Sequence, residues 1–344
     1  YRSFRCVHFL SIFWSLSVTI SVVSVFTACS CRLTSGGSCC LSCHSDFISG
    51  CCSVFYLYNN LHNIRSDGKA AARRNTKHIQ ITPKKDKPGI DIHVSGEAQK
   101  EEVFIPALVT HSGFTDLVYN DFYIEPGADV TIVAGCSVCS NGCDASEHHG
   151  IHRFFLGENA HVLYLEKHVG SGEGTGERII NPETEVYGDP GSYMEIETTQ
   201  IRGVDSTNRV SRAVMQDNAK IEIREKILTH GKQYARTEFS VDLNGNGSSA
   251  RLISRSVATE QSSQLFVSNM NGNADCAGHS ECDAIIMDEG KVSAQPEIHA
   301  EHLDAKLIHE ASIGRIAGDQ LMKLMSLGLT EKEAEEWIIR GFLK

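Results

Sequence analysis

Two short stretches carry side chains suited to metal chemistry. "GHSECDAIIMDEG" holds Cys282, and "DAKLIHEASIGRIAGDQL" holds His309 and Glu310 where a short strand gives way to a helix. Thiolate, imidazole and carboxylate together suit iron or zinc, and thiolate is the ligand that iron–sulfur clusters require. Strand alternation would turn His309 and Glu310 to opposite faces unless the strand ends there. On spacing alone, a buried cysteine and a surface His-Glu pair is the plainer reading.

A second cluster is "GCSVCSNGCDASEHHGIH" at 135–152, with Cys136, Cys139 and Cys143 followed by His148, His149 and His152. C-x2-C has the spacing of a metal knuckle, but a four-ligand site needs a partner pair. His148 and His152 are expected to share a face only on a helix, and Gly150 between them argues for a loop. Cys276 could pair with Cys282 under oxidising conditions and would stay free in a reducing cytosol. The Gly-rich "HVGSGEGTGER" at 168–178 lacks the Lys-Ser/Thr of a phosphate loop and reads as a flexible loop. No G-x-S-x-G, H-E-x-x-H or dinucleotide fingerprint is present.

The elements that must position these residues repeat. "GADVTIVAG", "NAHVLYLEK", "GSYMEIETT", "NAKIEIREK", "SARLISRSV" and "DAKLIHEAS" each offer a turn residue, a small residue and then alternation. The small residues fall at Ala128, Ala160, Ser192, Ala219, Ala250 and Ala305, a period near 30 with a double step at the end. In "KIEIREK", Ile221 and Ile223 point one way while Lys220, Glu222 and Arg224 point the other, as in a strand. Strands at this period, with no helical pattern between them, favour stacked coils over βαβ units, with a β-sandwich as the competitor. One period of separation would then bring Cys282 close to His309 and Glu310 on adjacent rungs.

The C-terminus is helical. In "GDQLMKLMSLGLTEKEAEEWIIRGFLK", Leu321, Leu324 and Met325 form one apolar face and Gly328 is a natural stop. Thr330 with Glu333 makes a capping box, and Ala334, Trp337 and Ile338 form the next face. Such a hairpin either caps the solenoid or docks another subunit.

Charge is unevenly spread. The net charge is −11, but residues 1–90 carry 11 Lys/Arg against 3 Asp/Glu, which leaves −19 on the remainder. An acidic body of this kind repels phosphate backbones, so nucleic acid is not an expected partner. Eight of the 13 cysteines lie in the first 60 residues. There, "FLSIFWSLSVTISVVSVFTA" at 9–28 is uncharged, like a signal peptide or membrane span. With Tyr at position 1 and the first Met at 194, the composition fits translated flanking sequence better than an anchor. The expected organisation is a leader at 1–60, a basic linker at 61–100, a solenoid core at 101–312 and a helical hairpin at 313–344.

From about residue 101 the chain resembles the SufB/SufD family of the iron–sulfur cluster assembly machinery. The resemblance rests on "SEHHGIHRFFLGENA", "RGVDSTNRVSRAVMQDNAKIEIREK", "SECDAIIMDEGKVSAQPEI" and, above all, "AKLIHEASIGRIAGDQLMKLMSLGLTEKEAEEWIIRGFL". It implies a right-handed parallel β-helix followed by a helical hairpin. It implies an ABC-type ATPase partner, SufC, docked on that hairpin, with Leu321, Leu324, Trp337 and Ile338 as contact residues. It also implies that Cys282, His309 and Glu310 carry a nascent iron–sulfur cluster, the His-Glu pair being SufB-like. A homodimer or a SufB/SufD paralogue, acceptor apo-proteins and a cytoplasmic location follow, without a membrane. Flavin is conceivable in the family but has no support in these residues. Against long members, the helical N-terminal region is expected to be missing or replaced by the leader, and the Cys136–Cys139–Cys143 segment is not a family signature. The expected role is a scaffold and not an enzyme. The rivals are a SufD-like structural partner without cluster chemistry and a secreted β-helix acting on polysaccharide. The second would need a groove of aromatics and paired carboxylates, and 2 Trp and 9 Tyr are spread too thinly for one.

Overall fold

Five successive coils of the chain turn on a residue in left-handed backbone followed by a small one. Gly127, Asn159, Gly191, Asn218 and Gly247 have φ between 55° and 74°, a region open to Gly and tolerated by Asn. The next residues, Ala128, Ala160, Ser192, Ala219 and Ser248, are buried and stack in a column. The amide after each small residue donates to the carbonyl of the small residue one coil earlier, as His161 N does to Ala128 O at 2.7 Å and Tyr193 N to Ala160 O at 2.8 Å. A larger side chain would push successive coils apart at this corner. The column continues through Cys276 and Ala305, since Ala277 N donates to Ser248 O and Lys306 N to Cys276 O. Cys276 is thus a corner residue, and Ser248 holds the place expected for Ala250. Ala250 lies two residues further on, paired with Ile221.

The computed structural model describes residues 61–201 and 203–344; the leader expected at 1–60 lies outside them. The stacked coils form a β-solenoid of about eight turns with parallel sheets, followed by two helices, which is the expected architecture. Its first sheet begins with a hairpin of β1 (His62–Ser66) and β2 (Lys69–Arg74), then runs through β5 (Gln99–Val109), β7 (Asp129–Cys139) and β9 (His161–Ser171). It continues with β12 (Tyr193–Ile201), β14 (Lys220–Thr229), β16 (Ser249–Ala258), β18 (Ala277–Ile286) and β20 (Lys306–Gly314). The second sheet starts with the hairpin β3 (Ile79–Pro83) and β4 (Gly89–Val94), then β6 (Thr115–Ile124) and β8 (Ser146–Leu156). The next rung is split between β10 (Arg178–Ile180) and β11 (Glu183–Gly188), where Pro182 has no amide to give the ladder. β13 (Ser206–Met215), β15 (Tyr234–Leu243), β17 (Ser263–Gly272) and β19 (Lys291–Ala300) complete it.

The core lies between the sheets. Phe122 and Phe154 stack there with ring centroids 4.3 Å apart, among Ile132, Tyr164, Ile196, Phe239 and Leu252. Burying each such side chain contributes roughly 1.5–3 kcal/mol.

Two expectations change here. The basic stretch 61–100, read as a linker, is folded into the first strands of both sheets. Its charge is not free: Lys84 is buried between Asp91 and Asp121, and Arg65 holds Asp116 at 2.6 Å. In the helical hairpin, α1 (Gly318–Ser326) and α2 (Glu331–Phe342) carry the expected capping box at Thr330. However, the face that packs on the solenoid is Ile339, Phe342 and Leu343, set against Leu228, Val257, Ile201 and Ile285. Trp337 points away, 62% exposed. At this end of the solenoid, β19 and β20 close the two sheets with no further strand paired to them among the described residues.

Candidate metal centres

Cys282 and His309 sit on the last two rungs of the first sheet. In β18 the buried positions alternate as Gly278, Ser280, Cys282 and Ala284, so the thiol faces the interior and is 1% exposed. In the parallel pairing of β18 with β20, Ser280 stands opposite His309 and Cys282 opposite Ala311. The thiol and the imidazole are therefore diagonal neighbours on one face, about 7–8 Å apart at Cα by sheet geometry. His309 Nδ1 is buried without a hydrogen-bond partner, and a buried polar nitrogen in that state costs about 1–3 kcal/mol. Glu310 belongs to the other face: it pairs with Glu281, is largely exposed, and lies 3.5 Å from His279 Nε2. Burial, reinforced by Glu225 and Asp283, pushes the Cys282 thiol up to about 12. Burial and then His279 lower the His309 imidazole, which favours its neutral, ligating form.

A second group lies deeper and earlier in the coil. The strand β7 turns Cys136 inward, and one rung on, β9 presents Glu166 and His168. One ligand atom from each of Cys136, Glu166 and His168 lies within 4.8 Å of the others, and all three residues are buried. From the second sheet, β8 points His148 and His152 at them. Those two imidazoles share a face on a strand and not on a helix, because a separation of four is also an even number of strand steps. Gly150 fits between them: a Cβ there would stand 3.0 Å from His152 Nε2 and 3.3 Å from His148 Nε2. The loop expected around Gly150 is therefore strand. Cys139 is half-buried and Cys143 exposed; neither joins Cys136, and all three are free.

Hydrogen bonds tie the group together. Arg209 Nη1 donates to Glu166 Oε2 at 2.7 Å, and Tyr164 Oη donates to Glu166 Oε1 at 3.0 Å. His152 Nδ1 lies 2.6 Å from Tyr164 Oη, and Asn120 Nδ2 lies 3.3 Å from His152 Nε2. His148 Nδ1 is 3.2 Å from Asp116 Oδ2. Burial opposes charge on the Cys136 thiol, but His148 and then His168 outweigh it and bring it down to about 7. Burial likewise opposes charge on His148, yet the thiol and Asp116 raise it to about 10. Burial drives His152 down to about 4, so it is a neutral relay between Asn120 and Tyr164. Glu166 stays ionised because Arg209 and His168 overcome its burial.

A polar column joins the two groups. Down the inner face of the first sheet, Glu166, Thr198, Glu225, Ser254 and Cys282 stand in register on consecutive rungs, each no more than 4% exposed. Glu225 accepts from Thr237 at 2.9 Å and from Ser254 at 2.9 Å, and burial raises its carboxyl. Near the start of the solenoid a cavity of about 250 Å3 is lined by Cys136, His148 and His152 within and by Arg73, Lys84 and Lys87 further out.

Sequence reasoning reached Cys136, His148 and His152 but not Glu166, His168 or Arg209. In "HVLYLEKHVG" the leucines suggest that 163 and 165 face inward, yet Tyr164, Glu166 and His168 do. The available signal was the period: Cys136 plus 32 residues falls on His168. Of the hairpin residues expected to meet a partner, Trp337 is exposed, whereas Leu321, Leu324 and Ile338 are half-buried. Met322 and Leu327 add exposed apolar surface there.

Comparison with known proteins places this geometry. A protein of Methanothermobacter thermautotrophicus described as an iron–sulfur cluster assembly SufBD family protein is 29% identical over 239 residues, covering 65% of this chain and 54% of its own length. A Pyrococcus horikoshii protein of the same description is 31% identical over 204 residues, covering 57% of this chain and 60% of its own. A chloroplastic member from Arabidopsis thaliana is 25% identical over 229 residues, covering 64% and 41%. The chain spans about half the length of the curated relatives it matches. The family model for the SUF-system FeS cluster assembly SufBD core domain matches residues 117–342, the stretch that holds the coils from β6 onward, both cysteine groups and the hairpin. The chain therefore belongs to the SufBD family of iron–sulfur cluster assembly proteins.

Proposed function

We propose that this protein is a scaffold subunit on which an iron–sulfur cluster is assembled as cargo, and that it is not itself an enzyme. The observation that carries this reading is the pairing of Cys282 and His309 on one inner face of the last two rungs, with His309 Nδ1 buried and unpartnered. A thiol and a neutral imidazole at an open end of the solenoid suit a cluster that must later leave for an acceptor apo-protein. The Cys282 thiol would lose its proton as iron binds, because thiolate is the ligating form.

Glu310 faces away from this pair within one subunit. Its part in ligation would come through a second subunit, either a copy of this chain or a SufB/SufD paralogue, set against the unpaired β19 and β20 edges. An ABC-type ATPase of the SufC kind would dock on the hairpin around Trp337, and ATP hydrolysis there would rearrange the subunit contact. The work would take place in a reducing cytoplasm, where free thiols persist.

Purified anaerobically with its ATPase, the protein is expected to acquire iron, sulfide and visible iron–sulfur absorption. Cys282→Ser should remove most of that absorption, and His309→Ala should weaken cluster retention. Unchanged iron and sulfide counts in Cys282→Ser would overturn the assignment of the cluster to Cys282, and absence of iron and sulfide from the unaltered chain would leave a purely structural partner.

A further inference from the structure

We propose that Cys136, Glu166 and His168 form a buried site for a single divalent transition-metal ion of the Fe2+ or Zn2+ class, separate from the Cys282–His309 pair. The donor set comes first. One sulfur, one nitrogen and one oxygen already stand within 4.8 Å of one another. A tetrahedral ion bound at about 2.0–2.3 Å sets its ligands roughly 3.5 Å apart. The site needs to contract by about an ångström, within reach of side-chain rotation, and His168 Nε2 to Glu166 Oε1 is already 3.4 Å. A mixed S/N/O set selects borderline divalent ions over Mg2+ or Ca2+, which take oxygen alone.

The surroundings are those of a supported site. Arg209 and Tyr164 anchor the two oxygens of Glu166. Gln200 Oε1 lies 3.4 Å from His168 Nδ1 and can accept its proton, the tautomer that leaves Nε2 bare toward the thiol; in that tautomer Arg209 gives its hydrogen bond to Glu166 and none to the imidazole. The cavity lined by Cys136, His148 and His152 gives a path inward and room for a water or His148 as fourth ligand. Cys136 and Cys282 are five rungs apart on one sheet, about 24 Å at the ~4.8 Å spacing between strands. No one mononuclear ion can engage both.

The test is a Co2+ titration of the chelator-treated full chain under anaerobic conditions, with Co2+ as the spectroscopic probe. One equivalent should give a thiolate-to-cobalt charge-transfer band, displaced by Zn2+. Cys136→Ser should abolish that band while Cys282→Ser keeps it, and Glu166→Gln and His168→Ala should each weaken Co2+ affinity by about 10-fold or more. Zn2+ should raise the Tm of the unaltered chain and not that of Cys136→Ser, with circular dichroism showing both folded. Absence of the band in the unaltered chain, its persistence in Cys136→Ser, or its loss in Cys282→Ser would each overturn the proposal. Because Cys282 and its cluster are not part of this readout, failure here leaves the scaffold reading standing, and failure of that reading leaves this site standing.

Discussion

Asp116 shows how single charges are kept inside this solenoid. Burial works against its carboxylate, yet hydrogen bonds from His148 and Arg65 hold it down at about 2. Its folded value lies below the unfolded one near 3.8, so its contribution is complete above pH 4 and is lost as pH falls toward 2. Asp116→Asn should therefore lower unfolding stability by about 3 kcal/mol at pH 7 by leaving Arg65 and His148 unpaired. That deficit should shrink as urea melts are repeated between pH 4 and pH 2. A constant deficit across that range would show that shape and not charge matters at 116. At the same scale, Lys84 explains why the basic stretch was misread. Composition reports a positive charge, but whether it meets Asp91 across the β3–β4 hairpin and Asp121 on β6 is set by how the strands pair.

At the scale of the element, the strands are legible and their register less so. Alternation identified "KIEIREK" as β14 and put Ile221 and Ile223 inside, as found. It could not separate Ser248 from Ala250, because a slip of two residues keeps every side chain on its own face. His148 and His152 were missed as strand neighbours for a related reason: even separations satisfy a strand, and a separation of four also satisfies a helix. The hairpin was read from local chemistry, and Thr330 does cap α2, with its side chain accepting from Glu333 N. Thr330→Ala should cost that helix about 1 kcal/mol. Hydrogen exchange should show faster opening of amides in the first turn of α2, with the β14–β16 ladder unchanged. Which face of α2 lies down was decided by Leu228 and Val257 on the outer surface of the sheet, more than 70 residues away.

For the whole molecule, the consequence of stacking is two ends. The N-terminal end is closed by the β1–β2 and β3–β4 hairpins, whose antiparallel pairs end each sheet. Among the described residues, the other end leaves β19 and β20 with unpaired edges and apolar residues such as Leu303, Ile308 and Ile313 exposed. An open edge of this kind is a template for a further strand. If a second subunit sits there, sedimentation should show a dimer or a complex with a paralogue. Ile313→Lys, which sets a charge on the exposed last strand, should then shift it toward monomer without altering the Tm of the solenoid by more than a few degrees. A monomer in the unaltered chain, alone and with the paralogue, would remove the interface from the proposal.

The sequence by itself determined the coil, the corner and the cap. Period, turn residue, small residue and capping box are local or repeat at a fixed step, and elementary sterics converts them into structure. Only the tertiary structure decided which inward residues meet across the coil. Cys136 gained Glu166 and His168 from β9 and His148 from β8, and of the two partners the period offered Cys282, His309 shares its face while Glu310 is turned away. The meetings with Glu166, His168 and His309 depend on register between strands about 30 residues apart, which a pattern of period two leaves free, and that with His148 depends on how the two sheets face each other.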